Sequence, residues 1–440
     1  MTLPRYPRYK DSGVEWLGEV PGHWEVKTLK RLAKLTTGMT PPTDDAENYA
    51  DDEQLQWIRP DDLDETGAPT TATKFLSEKG WAQARQIKAG ATLICCIGTI
   101  GKLGFIAEDA STNQQLTAAE FERSNRYFFF AMCAGRTPFE VASTGNVLRI
   151  LNTERLGNIP FPCPSEVEAT QIASFLDRET AKIDELVAEQ RRLMALLKEK
   201  RQAVISHAVT RGVNPDAPLK PSGIEWLGDV PAHWEVASLK RDLAFLTSGS
   251  RGWAENYSDN GDLFIRITNL TRDQIRLDLS DIQRVNVPAG SEGSRTKVKQ
   301  DDLLLSITAY LGSVAVVQDD LEAAYVSQHV ALARLKQEIL LPKWCGYVAL
   351  SFVGKTWFET QSYGGTKIQL SLDDVRNLPI PMPTLCEQRE IVFYVENELA
   401  QFDTLTAEAQ HAIDILQERR TALISAAVTG KIDVRSAEAS

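Results

Sequence analysis

Between residues 166 and 210 the chain contains neither Gly nor Pro, and its apolar positions recur at helical spacing. Ile172, Leu176, Ile183, Leu186, Leu193, Leu197 and Val204 follow one another in steps of threes, fours and sevens. A second stretch, after Pro383, repeats the pattern with Ile391, Val395, Phe402, Leu405, Leu416 and Leu423. The pattern predicts two helices of about 40 residues, about 60 Å long at the α-helical rise. One apolar stripe on so long a helix needs a partner. The stripe of the other helix has the matching pattern, which predicts a coiled-coil pair through these residues. Outside the helices the periodicity is short and strand-like. Residues 93–97 and 104–107 flank a Gly-containing turn at 98–102, and residues 304–308 and 314–317 flank a similar turn at 309–313. Alternating prolines at 160, 162 and 164, and at 379, 381 and 383, predict extended edges that cannot be helical.

The two halves of this pattern are copies. Residues 12–31, SGVEWLGEVPGHWEVKTLKR, and 222–241, SGIEWLGDVPAHWEVASLKR, agree at 15 of 20 positions without a gap. Residues 199–210, EKRQAVISHAVT, agree with 418–429, ERRTALISAAVT, at 8 of 12. A period of about 200 residues is a domain duplication, not a solenoid. The predicted order is a mixed α/β domain at 1–165, a helix at 166–211, a second domain at 212–383, a second helix at 384–430 and a short polar tail at 431–440. The fold class is α+β with an internal pseudo-twofold repeat.

Composition adds exclusions. The chain has 440 residues, with 48 Lys plus Arg against 60 Asp plus Glu, a net charge of −12. At face value this argues against a nucleic-acid partner. The charge is uneven, however: residues 1–165 carry 18 basic and 21 acidic groups, and 384–430 carry 3 and 8. No apolar run suits a membrane span or a signal peptide, so a cytoplasmic location is expected. The six cysteines form no C-x-x-C pair, and no metal site is expected.

Catalytic equipment is missing too. No G-x-S-x-G, H-E-x-x-H, phosphate loop, N-P-P-[YF] or nuclease P-D…E-x-K cluster is present. His23 and His233, in the duplicated V-P-x-H-W-E-V segment, read as structural. No catalytic residue is assigned.

Together these motifs resemble the specificity subunit of type I restriction–modification systems. The resemblance rests on YKDSGVEWLGEVPGHWEV at 9–26, its recurrence at 221–236, the paired Pro-rich exits and the helix ends AVISHAVT and ALISAAVT. It spans residues 5–432. It implies two target-recognition domains, separated by two long antiparallel coiled-coil helices, each domain reading one half of a split DNA sequence. It implies double-stranded DNA, two methyltransferase subunits and restriction/translocase subunits as partners. S-adenosylmethionine, ATP and Mg would belong to those partners, with no cofactor in this chain. Readings as a coiled-coil scaffold or as an orphan subunit acting on another system remain open at this point.

Candidate DNA contacts are basic or planar polar residues at turns, sought in both copies: Arg59, Lys102, Gln114 and Arg149 in the first, Arg266, Tyr310, Gln328 and Lys367 in the second. Gln115 and His329 neighbour the two glutamines. Arg295, Lys297 and Lys299 form a short basic run suited to phosphates.

Overall fold

The structure is a computed structural model. It describes residues 4–51, 55–145, 148–249, 251–288, 290–362 and 369–435. The chain forms two compact units, Met1–Gln190 with Gln410–Ser440, and Arg191–Ala409. Neither long helix is a segment of its own, because each is divided between the two units.

The units share one architecture. In the first, a four-stranded antiparallel sheet has the order Leu103–Phe105, Thr92–Cys95, Leu116–Phe121, Ala33–Thr37. In the second, Val314–Val316, Leu303–Ser306, Val330–Leu335 and Leu243–Ser248 take the same order. A smaller mixed sheet lies beside each, with Trp57–Ile58 parallel to Ala110–Thr112 and Asp262–Ile265 parallel to Ala324–Val326. Each Pro-rich exit is a strand, Pro160–Cys163 on Glu25–Thr28 and Pro379–Met382 on Glu235–Ser238. The inner strands Thr92–Cys95 and Leu303–Ser306 are buried on both faces, so they read as short apolar runs without alternation.

The long helices are Glu166–Arg211 and Leu385–Val428. Each ends in a glycine with positive φ, Gly212 at 74° and Gly430 at 71°, the left-handed stop that favours glycine. Tryptophans of the duplicated V-P-x-H-W segment pack there. A Cβ on Gly212 would lie 3.3 Å from the Trp234 ring, and one on Gly430 would lie 2.3 Å from Pro21 and 3.2 Å from Trp24. Trp24 and Trp234 are wholly buried. The first domain is therefore closed by the end of the second helix, and the second domain by the end of the first. His23 bonds Glu168 at 2.9 Å and His233 bonds Glu387 at 3.0 Å, fastening the same segments to the helix starts. The described part of the tail is packed too: Val434 is buried, and the Asp433 amide donates to the Pro4 carbonyl at 2.8 Å.

Within the first unit the helices run antiparallel. Ile172 and Leu176 share a core with Ile424, Ala427 and Val428, and the Arg420 Nε donates to Asp184 at 2.9 Å. Within the second, Leu197, Ile205 and Val209 share a core with Ile391, Val395 and Phe402, and Arg201 pairs with Asp403. Ile183 is buried, and Leu416 and Leu423 are half-buried. Three residues assigned to the helix pair by the sequence lie elsewhere: Leu186, Leu193 and Leu405 are exposed at 44%, 41% and 43%. The buried stripe steps by four from Ile183 to Val187, then through Gln190 and Met194 to Leu197. A step of three to the larger Leu186 fits helical periodicity equally well. Only the packing distinguishes the two.

Adjacent substitutions test this register. Val187→Glu buries an unpaired charge and should cost about 3 kcal/mol, whereas Leu186→Glu should stay within about 0.5 kcal/mol of wild type, both read by thermal unfolding. Gly430→Ala should cost about 1–3 kcal/mol, because the left-handed backbone and the Pro21 contact both oppose a methyl; chemical denaturation would measure it.

Candidate nucleic-acid interface

At one end of each central sheet four loops converge, and the same hydrogen bonds build the convergence twice. In the first domain the Gly38 amide donates to Leu116 O at 2.9 Å, Cys96 to Gln115 O at 2.8 Å, Leu151 to Cys96 O at 2.8 Å, and Asn113 to Ile58 O at 3.2 Å. In the second, Gly249 donates to Val330 O at 3.2 Å, Ile307 to His329 O at 3.0 Å, Leu370 to Ile307 O at 2.9 Å, and Ser327 to Ile265 O at 2.9 Å. Two backbones that agree bond for bond carry different side chains. Gln114 stands where Gln328 does, Gln115 where His329 does, and Thr99 where Tyr310 does.

The turn between the inner strands is the most constrained part. In the first domain it uses Gly98 and Gly101 at φ 87° and 77°. In the second, Gly312 at 82° matches Gly101, but Ala309 at 58° stands in the place of Gly98. A left-handed alanine costs about 1–2 kcal/mol, which the surrounding hydrogen bonds must offset.

The loops gather most of the first-domain candidates and then divide them. Arg149 is exposed, and its carbonyl accepts from the Gly98 amide at 3.2 Å. Gln114 is exposed and takes a bond from the Thr40 hydroxyl. Lys102 turns inward and donates to Pro60 O at 2.8 Å. Arg59 caps the short turn that follows it and donates to Thr73 Oγ1 at 2.9 Å. Arg266 is its structural twin, donating to Asp281 at 2.8 Å. Both guanidinium groups are therefore bonded within their own domains.

In the second domain Tyr310 is exposed, and Gln328 bonds the neighbouring His329 ring, whose other nitrogen meets Thr308 at 2.9 Å. Arg295 donates to Ser248 O at 2.7 Å, at the loop end of the sheet. Lys297 is exposed and bridges Tyr325. Lys299 adjoins Asp302, at the far end of the strand from the loops. Lys367 lies outside the described residues, as do residues 146 and 147 of its counterpart loop.

Burial pushes the Cys96 thiol up to about 11, Cys163 to about 11 and Cys133 to about 12, and raises Cys95 and Cys345 as well. Such thiols stay protonated and are poor nucleophiles at neutral pH. Asp302 is fully buried in a two-pronged pair with Arg334, at 2.7 and 2.6 Å. Burial raises its carboxyl above the usual range while Arg334 pulls it down. Among the described residues no cluster of His, Cys, Asp or Glu could hold a metal, and no helix is long and apolar enough to cross a membrane. The loop ends present amides, hydroxyls, guanidinium groups and one tyrosine ring to solvent, a set suited to binding.

Sequence reasoning missed one piece of the duplication. Gly135-Arg136-Thr137-Pro138-Phe139-Glu140 matches Gly354-Lys355-Thr356-Trp357-Phe358-Glu359, on the helices Arg136–Ala142 and Phe352–Gln361 beside the loops. Four of its six positions are identical, so the signal was present.

Comparison with known proteins gives one answer. The family profile described as the type I restriction modification DNA specificity domain matches residues 21–192 and again 231–413. The type I restriction enzyme EcoBI specificity subunit of Escherichia coli is 23% identical over 431 residues, covering 96% of this chain and 89% of the relative. The MjaVIII specificity subunit of Methanocaldococcus jannaschii is 21% identical over 341 residues, covering 77% and 76%. A solved chain from a study of complex assembly and conformational transition in the type I R-M system has the same fold, with a TM-score of 0.67 at 16% identity, over 93% of this chain and 98% of that one. With two matches to one family profile, one over each repeat, the chain belongs to the type I restriction–modification DNA specificity family.

Proposed function

We propose that this chain is the DNA-recognition subunit of a type I restriction–modification enzyme, with each domain reading one half of a bipartite, asymmetric site. The observation that carries the reading is the loop convergence, one hydrogen-bonded scaffold present twice with different side chains on it. Identical scaffolds place two readers alike, and different side chains make the two half-sites different. Two modest interfaces on one chain gain avidity without new contacts.

The long helices set the spacing between half-sites and dock two methyltransferase subunits. Leu186, Leu193 and Leu405, left off the buried stripe, suit that docking, and Leu186 and Leu405 occupy equivalent places on the two helices. Restriction/translocase subunits complete the assembly, which works in the cytoplasm. S-adenosylmethionine, ATP and Mg serve those partners. Domains of 18 basic and 21 acidic groups at 1–165, and 17 and 21 at 212–383, neutralise few phosphates. The chain alone therefore binds DNA weakly, and the methyltransferase subunits supply much of the phosphate contact.

Genome-wide mapping of adenine methylation, in a host carrying the chain with its methyltransferase, tests the reading. A two-part asymmetric motif with a fixed gap is expected, and methylation without such a motif would refute it. On a duplex carrying the mapped site, Arg149→Ala should weaken binding by about 1–3 kcal/mol if the guanidinium reaches a base edge; unchanged affinity and salt dependence would remove it from the interface. Leu186→Glu and Leu405→Glu should each reduce co-purification of the methyltransferase while leaving the melting temperature of the isolated chain unchanged. Wild-type recovery of the complex would place docking elsewhere.

A further inference from the structure

The two loop ends share a scaffold but differ sharply at one spot. In the second domain the turn tip is Tyr310, with its side chain in solvent at 55% exposure. Its backbone is held from three directions. The Tyr310 amide donates to Thr308 O at 2.7 Å, and its carbonyl accepts from the Ser306 hydroxyl at 2.6 Å and from the Ser313 amide at 3.2 Å. The residue before it, Ala309, is in the left-handed region, where alanine is disfavoured. An exposed ring on so firmly held a backbone costs less entropy to use in binding than a ring on a free loop.

The charge around the tip changes in the same direction. The Arg272 guanidinium lies over the Tyr310 ring at 5.6 Å. Arg272 and Lys355 line one depression of about 660 Å³ together with Ala309, Leu311 and Gly312. In the first domain the matching positions hold Thr99, Glu65 and Arg136, and Glu65 pairs with Arg136 at 3.2 Å. One tip thus has a hydroxyl beside a neutralised ion pair. The other has an aromatic ring beside two cations, with Asp273, paired to Lys198, and Glu359 also lining the depression.

We infer that Tyr310 is a stacking residue that inserts against the bases of the second domain's half-site, with Arg272 holding the ring and Arg272 and Lys355 meeting the flanking phosphates. The inference rests on the DNA-recognition reading and deepens it. The two domains use different kinds of readout. The first carries Thr99 in place of a ring at its turn tip and presents hydroxyl, amide and guanidinium groups there. The second adds an aromatic contact whose strength depends on how easily its base step unstacks. A ring offers its face to any base, whereas cations serve the backbone, so the two roles separate experimentally.

The test is a selection from a randomised 40-base-pair duplex pool by the full chain in complex with its methyltransferase subunits. Wild type should return two half-sites. Tyr310→Leu, which unfolds at the wild-type temperature if the exposed ring is not structural, should return one half-site intact and the other blurred. Its affinity for the wild-type-selected duplex should fall about tenfold or more. Tyr310→Phe should keep both half-sites and affinity within about twofold, because stacking needs the ring and not the hydroxyl. Lys355→Ala should weaken binding to all sequences alike and lower the salt dependence by about one phosphate. Two intact half-sites at unchanged affinity for Tyr310→Leu would overturn the stacking role alone. A wild-type complex that selects no sequence would overturn the DNA-recognition reading and the stacking role with it.

Discussion

Each domain in this protein is closed by the end of a long helix, the first domain by the helix at the far end of the chain and the second by the helix that leads directly into it. The contact that does this is a buried tryptophan set against the glycine end of a long helix: Trp24 at Gly430, and Trp234 at Gly212. Removing a buried tryptophan from a core costs about 3–5 kcal/mol, and a Cβ on either glycine would crowd the ring at 3.2–3.3 Å. The His23–Glu168 and His233–Glu387 pairs add a polar fastening at the other helix's start. Since each domain packs on the beginning of one long helix and the end of the other, the helices cannot leave the domains without exposing both cores. The placement of the Pro-rich strands, the short helices and the loops follows from that closure.

On that base the loop ends are held by backbone hydrogen bonds, and their side chains are free to differ. Gly38 and Gly249, Cys96 and Ile307, Leu151 and Leu370 make matched bonds although Cys96 and Ile307 are unlike residues and donate to unlike neighbours, Gln115 and His329. Backbone donors and acceptors do not depend on side-chain identity, so a scaffold of this kind tolerates change at its tips. The difference between Thr99 with its Glu65–Arg136 pair and Tyr310 with Arg272 and Lys355 is what such tolerance permits. Arg59 and Arg266, by contrast, are the same residue type in both copies, and each guanidinium is bonded within its own domain, to Thr73 and to Asp281.

Legibility in the sequence varied with how local the signal was. The helix at Glu166–Arg211 could be read within two residues of its ends, because the run lacks Gly and Pro and then meets Gly212. The Pro-rich strands were legible from alternation. Which of Leu186 and Val187 is buried was not legible, because a helix face accepts steps of three or four and only packing buries Val187 and exposes Leu186. The loop residues could be proposed, since Gln114, Arg149 and Tyr310 flank visible turns. The inward course of Lys102 to Pro60 O, and the capture of Arg266 by Asp281, depend on partners that no spacing rule connects.

The sequence by itself determined that there are two copies, that each ends in a long helix, and that no familiar catalytic motif is present. Those are properties of residue order, periodicity and composition. Tertiary structure alone decided which helix end closes which domain, which apolar helix residues are buried, and which polar turn residues face solvent. The physical reason is that burial and hydrogen bonding are settled between residues hundreds of positions apart, as the Tyr127 hydroxyl shows by bonding the Val428 carbonyl at 3.3 Å. The exposed leucines of the helices and the exposed ring of Tyr310 are identifiable only after that settlement, as the groups that folding leaves unused.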